Sequence, residues 1–238
     1  MRSRAQDVVQ RLLRRHGISI TRYPSPETLP WMLEHLLPTL AVTEVVDVGA
    51  HHGEFVRVIR EEVGFRGQIT SFEPFGESFA ILQGCWGQDP MWAGHQVAIG
   101  AKSGQRRLNI FRESVFNSFL SPKSVATARW PGLSEPRHVE EVRVERLDSF
   151  PFNEGPLLLK TDTQGHDLDV LEGAAGILDR VGAIIIEVAA RPIYEGAPSL
   201  VDIALRLDGL GFEPLGFVPV SRGADHLHVI EFDGVFVR

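Results

Sequence analysis

Three short stretches carry residue types whose spacing could do chemistry together. The first is Asp47-Val48-Gly49-Ala50-His51-His52-Gly53. An apolar run from Glu44 to Val48 precedes it, and Phe55, Ile59 and Val63 follow at helical spacing, so it reads as a turn between a strand and a helix. Glycines in such a turn let the backbone bend sharply and let a ligand approach the main chain. The full dinucleotide fingerprint has glycine where Asp47 stands. A carboxylate at that place would repel a pyrophosphate and attract a cation. The alternative is a tight strand-to-helix turn with no ligand.

The second is Glu73, which ends the run Gln68 to Glu73, 20 residues beyond Gly53. An acidic side chain there can accept hydrogen bonds from both ribose hydroxyls, so it points to an adenosine without saying which cofactor carries it. The acidic glycine turn favours one with an ammonium, a sulfonium and no phosphate, which is S-adenosylmethionine.

The third is Lys160-Thr161-Asp162-Thr163-Gln164-Gly165-His166-Asp167, at the carboxyl end of the apolar run Leu157 to Leu159. Open α/β sheets bind ligands at such ends. Asp162 would emerge beside the cofactor, and His166 has an unperturbed pKa suited to a general base. Both are candidate catalytic residues. Asp162 could instead hold the cofactor or cap the next helix, His166 could be a surface residue, and Asp167 reads as a helix-start hydrogen bonder. Glu187 ends the next apolar run and could join Asp162 in holding a divalent metal. No further ligand stands at diagnostic spacing and the nine histidines show no zinc-type spacing, so no metal site is assigned.

These residues need elements to position them. Ala5, Val8, Val9, Leu12 and Leu13 predict a helix ending at Gly17, with Arg4, Arg11, Arg14 and Arg15 on its other face. Leu29, Met32, Leu33, Leu36, Leu37 and Leu40 predict a second, with Pro30 in its first turn. Together they make an N-terminal helical extension over residues 1–40. Residues 41–238 then read as one domain. Strands are expected at 44–49, 68–73, 97–99, 157–162 and 183–188, alternating with helices, followed by a strand pair at 212–220 and 226–237. Leu168, Leu171, Ala174, Ala175 and Leu178 mark one of those helices. Ser199 and Asp202 form a capping-box variant before another that Gly211 ends. The prediction is an α/β, Rossmann-like, doubly wound fold with a mostly parallel seven-stranded sheet and an antiparallel C-terminal edge. An insertion at about 103–147 holds an extra strand pair, Gln105 to Phe111 and Val139 to Arg146. Between these lies a polar stretch, 112–138, that reads as a structureless lid or binding loop.

Composition bounds the rest. The chain has 238 residues, 43% of them hydrophobic, and a formal net charge of -7. That fits one large domain and gives no general attraction to nucleic acid or anionic membranes. The single cysteine, Cys85, excludes an intrachain disulfide and suits the cytoplasm. No run approaches the roughly 18 apolar residues of a membrane span, and the Arg-rich start lacks the apolar core of a secretory signal. The expected partner is a small molecule, with a homo-oligomer left open. Trp86, Trp92, Trp130 and Phe116 read as core first and as pocket wall second.

The three stretches together resemble the FkbM family of methyltransferases. The resemblance runs through Val46 to Gly53, Ser71-Phe72-Glu73-Pro74, Val97-Ala98-Ile99-Gly100, Asn117-Ser118, and Leu159 to Gly165 with Val170-Leu171-Glu172-Gly173-Ala174. It implies a class I methyltransferase fold and methylation of a hydroxyl on a natural product or sugar. It places Asp47, Gly49, Ala50, Gly53, Glu73, Ala98 and Asp162 at S-adenosylmethionine, with Asn117 and Ser118 near cofactor or substrate. The family often has an aromatic residue where His166 stands and Glu where Asp167 stands. Two competing readings are a nicotinamide-dependent oxidoreductase, which lacks its first glycine, and a non-catalytic nucleoside-binding protein of the same fold.

Overall fold

The computed structural model describes residues 23–223 and 227–238. Helix α1 (Leu29–Thr39) buries Leu33, Leu36 and Leu37, and Pro30 stands in its first turn. Then come β1 (Glu44–Val48), α2 (Glu54–Arg57, running into a π-helical turn at Val58–Glu62), β2 (Gln68–Phe72), α3 (Gly76–Trp86), β3 (Trp92–His95), β4 (Ala98–Ile99) and β5 (Gly104–Ile110). After these follow α4 (Ser124–Arg129), β6 (His138–Glu145), β7 (Leu157–Thr161), α5 (Asp167–Gly173), β8 (Val181–Ala189), α6 (Leu200–Asp208), β9 (Glu213–Arg222) and β10 (Val229–Val237).

The main sheet has seven strands in the order β3-β2-β1-β7-β8-β10-β9. The first five run parallel, and β10 runs antiparallel to both its neighbours, as expected. All five residues of β1 and of β7 are buried. That is why these strands read as unbroken apolar runs: helices cover both faces. Alternation still sorts the side chains. Val46, Val48, Leu157, Leu159, Ile184 and Ile186 enter one core, and Val45, Leu158, Ile185 and Val235 enter the other. A period of two puts Asp47, Lys160, Glu187 and Asp233 on the same face as this second set, at one end of the sheet. Winding reverses between β1 and β7, so a crevice opens there between their outgoing loops.

Several expectations are corrected. The third strand of the main sheet is Trp92–His95, which pairs with Ile69–Phe72. Ala98 and Ile99 pair instead with Val144 and Glu145, in a second sheet of order β4-β6-β5. The extra strand pair is present as β5 and β6, antiparallel. The stretch between them is ordered. It holds α4 and two 3-10 turns, and its buried residues Phe111, Ala126 and Leu133 cluster with Ile193, Tyr194 and Ile230. Helix α5 stops at Gly173, short of Ala175 and Leu178, and a Cβ at Gly173 would lie 2.2 Å from the Gly100 carbonyl oxygen, so glycine is required there. The Ser199–Asp202 capping box is formed, but α6 stops at Asp208 with Gly209 as its cap, ahead of Gly211. The first predicted helix, Ala5 to Leu13, and His226 lie outside the described residues. No helix among the described residues is long and apolar enough to cross a membrane.

Candidate active site

The crevice at the switch point is a cleft of about 510 Å³. The glycine turn forms its floor. Gly49 has φ +76°, and a Cβ there would sit 1.9 Å from the Asp162 carbonyl oxygen, so only glycine lets the two loops meet. The N–H groups of Gly49 and Ala50 both donate to the Phe72 carbonyl, at 2.9 and 3.0 Å, and Asp162 N–H donates to the Val48 carbonyl at 3.0 Å. Glu73 closes the far end of β2. Its Oε2 accepts from His51 N–H and its Oε1 from Phe75 N–H, each at 2.9 Å. An ionised carboxylate keeps further lone pairs for ligand hydroxyls. Burial pushes the Glu73 carboxyl up, against the pull of those two N–H groups.

Asp47 is placed differently from its expected role. Its side chain is fully buried and does not line the cleft, and neither carboxylate oxygen has a hydrogen-bond partner. Its partner is the Lys160 ammonium at 3.5 Å, which also lies 3.6 Å from Asp162 Oδ2 and donates to the Gly49 carbonyl at 3.2 Å. Lys160, not Asp47, faces the cleft. The pair is uneven. At Asp47 burial outweighs Lys160 and raises the carboxyl; at Lys160 burial is outweighed by Asp162, Asp47, Asp233 and Glu187, so the ammonium is firmly charged.

The acidity of the wall comes from other residues: Glu54, Glu73, Asp162, Glu187, Glu231 and Asp233 line the cleft, with Lys160 as the sole Lys or Arg among the described lining residues. Burial, then the charge of Asp162, lifts Asp233 to about 6. Burial and four neighbouring carboxylates raise Glu187 well above its usual value. Gln164 stands between two of these acids. Its Nε2 donates to Asp162 Oδ1 and to Glu187 Oε2, both at 3.2 Å. The opposite wall is apolar, built from Pro74, Val97, Ala98, Leu108 and Phe119.

Comparison with known proteins agrees with this geometry. Residues 47–214 match the family model described as the methyltransferase FkbM domain. The chain belongs to the FkbM methyltransferase family. Among solved structures it is similar to methyltransferase FkbM from Methylobacillus flagellatus KT, with 15% identity and a TM-score of 0.54 over 83% of this chain and 44% of that one. The chain thus spans less than half of that protein's length. It is also similar to the O-methyltransferase from Bacillus cereus solved in complex with SAH, with 10% identity and a TM-score of 0.50 over 100% of this chain and 92% of that one. These likenesses confirm the fold. Comparison with curated proteins returns no match.

The remaining residues of the FkbM motifs divide into wall and scaffold. Gly49, Ala50, Glu73, Ala98, Asn117 and Asp162 line the cleft. Gly53 and Ser118 do not. A Cβ on Gly53 would meet Trp86 at 2.5 Å, so this glycine serves packing against α3. Ser118 is buried, donates to the Gln164 carbonyl at 2.8 Å and accepts from Leu120 N–H at 3.0 Å, so it pins the inserted segment. Of the four aromatics, Phe116 reaches the cleft; Trp92 is buried with its N–H on Ser71. Asp167 starts its helix as expected, accepting from Thr161 Oγ1, Thr163 N–H and Thr163 Oγ1. The Asp162–Glu187 pair is bridged by the Gln164 amide. Among the described residues His51, His52 and Glu54 bring one ligand atom each within 4.8 Å. Sequence reasoning missed Gln164, Tyr194, Glu231 and Asp233. Asp233 carried a signal, being an acid at an inward position of an apolar strand.

His166 is not placed for catalysis. It is buried, it is absent from the cleft wall, and both ring nitrogens are engaged: Nδ1 lies 2.8 Å from Asp169 Oδ2 and Nε2 lies 2.8 Å from Arg106 Nη1. Arg106 can only donate, so the partners assign a neutral ring with its proton on Nδ1. Burial lowers the ring pKa to about 4, with Arg106 adding to the effect and Asp169 opposing it. Because the folded value lies below the unfolded one, protonation favours the unfolded chain. Stability is therefore expected to fall between pH 6.5 and 4, by about 3 kcal/mol from this residue. Urea unfolding at pH 7 and pH 4.5 checks it: the pH-dependent loss should shrink in His166→Gln, and an equal loss in both proteins would contradict the assignment.

Proposed function

We propose that this FkbM family member uses S-adenosylmethionine to methylate a hydroxyl group on a small molecule. The acidic cleft at the switch point carries the reading. Its wall offers six carboxylates and one already paired lysine. That field suits a cofactor with an ammonium and a sulfonium and opposes a diphosphate. The same acidity, with a net charge of -7, disfavours nucleic acid as acceptor. Glu73 supplies the ribose contact, the backbone at Gly49 and Ala50 allows close approach to the aminoacyl part, and Pro74, Val97, Ala98 and Phe119 offer an apolar face for the adenine.

The cofactor supplies an activated methyl group on sulfur, so the protein's task is to align an oxygen opposite that carbon and exclude water. An alcohol needs its proton removed as it attacks, and a positioned base contributes roughly 100- to 10,000-fold. Asp162 and Glu187 are the acids at hand. The test is incubation with ¹³C-methyl S-adenosylmethionine and fractionated small-molecule pools. The expected product is a low-mass compound with a labelled methyl bonded to oxygen. Label on nitrogen or carbon, or on RNA alone, would contradict the reading.

A further inference from the structure

Asp162 directly follows β7, Glu187 stands near the end of the adjacent β8, and both border the cleft. One amide holds them. Gln164 Nε2 donates to both carboxylates, and its Oε1 accepts from the Tyr194 hydroxyl at 3.1 Å, a proton that Tyr194 shares with the Phe116 carbonyl at 2.9 Å. The reverse amide orientation would aim Oε1 at two acids, so the network fixes it. Gln164 holds this position from a left-handed backbone, φ +53°.

The two acids are not equivalent. Asp162 is paired with the Lys160 ammonium at 3.6 Å, whereas no ion pair among the described residues includes Glu187. Lys160 of β7 and Asp162 just after it, Asp167 of α5, Glu231 and Asp233 of β10, and Tyr194 beyond β8 are the titratable groups facing Glu187. A ring of carboxylates around Glu187 makes it a good proton acceptor. Glu187 also borders a second cavity of about 20 Å³ with Asp167, Tyr194 and Glu231, room for one water.

Resting on the methyl-transfer reading above, we propose that Glu187 takes the proton from the methyl acceptor, and that Gln164 and Tyr194 are positioning residues that hold it beside Asp162. In the step, the acceptor O–H bond breaks and its proton passes to a Glu187 carboxylate oxygen. The oxygen's electron pair forms the new bond to the methyl carbon. The carbon–sulfur bond breaks with its pair left on sulfur, giving S-adenosylhomocysteine, and Glu187 then returns the proton to solvent.

Two readouts test this. The first needs no acceptor: ¹³C NMR titration of the glutamate carboxyls in the intact protein. The Glu187 midpoint should lie well above the ordinary value of about 4.3. It should rise further in Gln164→Leu, which removes a donor to the charged form, and by less in Tyr194→Phe. The second uses the acceptor found by isotope labelling. Glu187→Gln should lower kcat by about 100-fold or more with KM for S-adenosylmethionine unchanged, and wild-type kcat should rise with pH through the NMR midpoint. An ordinary Glu187 midpoint, or Glu187→Gln turnover within about threefold of wild type, overturns the role of Glu187. Calorimetry on the wild type separates the failures. Without S-adenosylmethionine uptake both readings fall, and with uptake only the proton-transfer role does.

Discussion

Replacing Lys160 with methionine is expected to cost the fold about 3–5 kcal/mol at pH 7, because breaking one side of a buried pair strands the other charge. Asp47 is fully buried, and its oxygens have no hydrogen-bond donor to fall back on. The variant should therefore recover stability as pH is lowered, where Asp47 can take up a proton. Wild type should recover less from this pair, because the Lys160 ammonium holds the Asp47 carboxyl lower than burial alone would. The double variant Asp47→Leu with Lys160→Met removes both charges and should regain much of the loss. Urea unfolding of all three proteins checks it. A cost under about 1 kcal/mol for the single variant would mean that the pair is solvated, contrary to the geometry.

Glu73→Gln is expected to weaken S-adenosylmethionine binding by about 100-fold, since hydrogen bonds to a charged acceptor are worth roughly 1.5–3 kcal/mol each and about 1.4 kcal/mol is a tenfold change. The carboxylate does two jobs. It holds the His51 and Phe75 N–H groups, which ties the glycine turn to β2, and in the proposed function its remaining lone pairs accept from two ribose hydroxyls. An amide has one acceptor oxygen and cannot do both. Calorimetry gives the affinity, and a thermal melt shows that the variant is folded. Binding within a few-fold of wild type would place the ribose elsewhere.

The main sheet was legible because its strands are buried on both faces and so announce themselves as apolar runs, Leu157 to Leu159 most clearly. That the glycine turn and Glu73 border one cleft was legible because their positions at strand ends follow from local spacing. What escaped depends on pairing across long separations. Ala98 and Ile99 look like a strand and are one, but Val144 and Glu145 decide which sheet takes them. The 112–138 stretch looks featureless because two buried residues, Ala126 and Leu133, with the adjoining Phe111, order it against partners near 193 and 230. His166 looked like a base because residue type does not reveal that Arg106, 60 positions away, already occupies its free nitrogen. Asp47 was read as a wall residue although strand alternation turns it toward Lys160 beneath the turn. Conversely, Glu231 and Asp233 reach the cleft only because β10 folds back beside β8.

The most direct test is isothermal titration of the wild-type protein with S-adenosylmethionine, S-adenosylhomocysteine and NAD in parallel. An acidic cleft floored by the glycine turn predicts one molecule of either sulfur compound bound per chain and no heat from the dinucleotide. Saturable uptake of NAD with silence toward both sulfur compounds would contradict the reading of the site at its root.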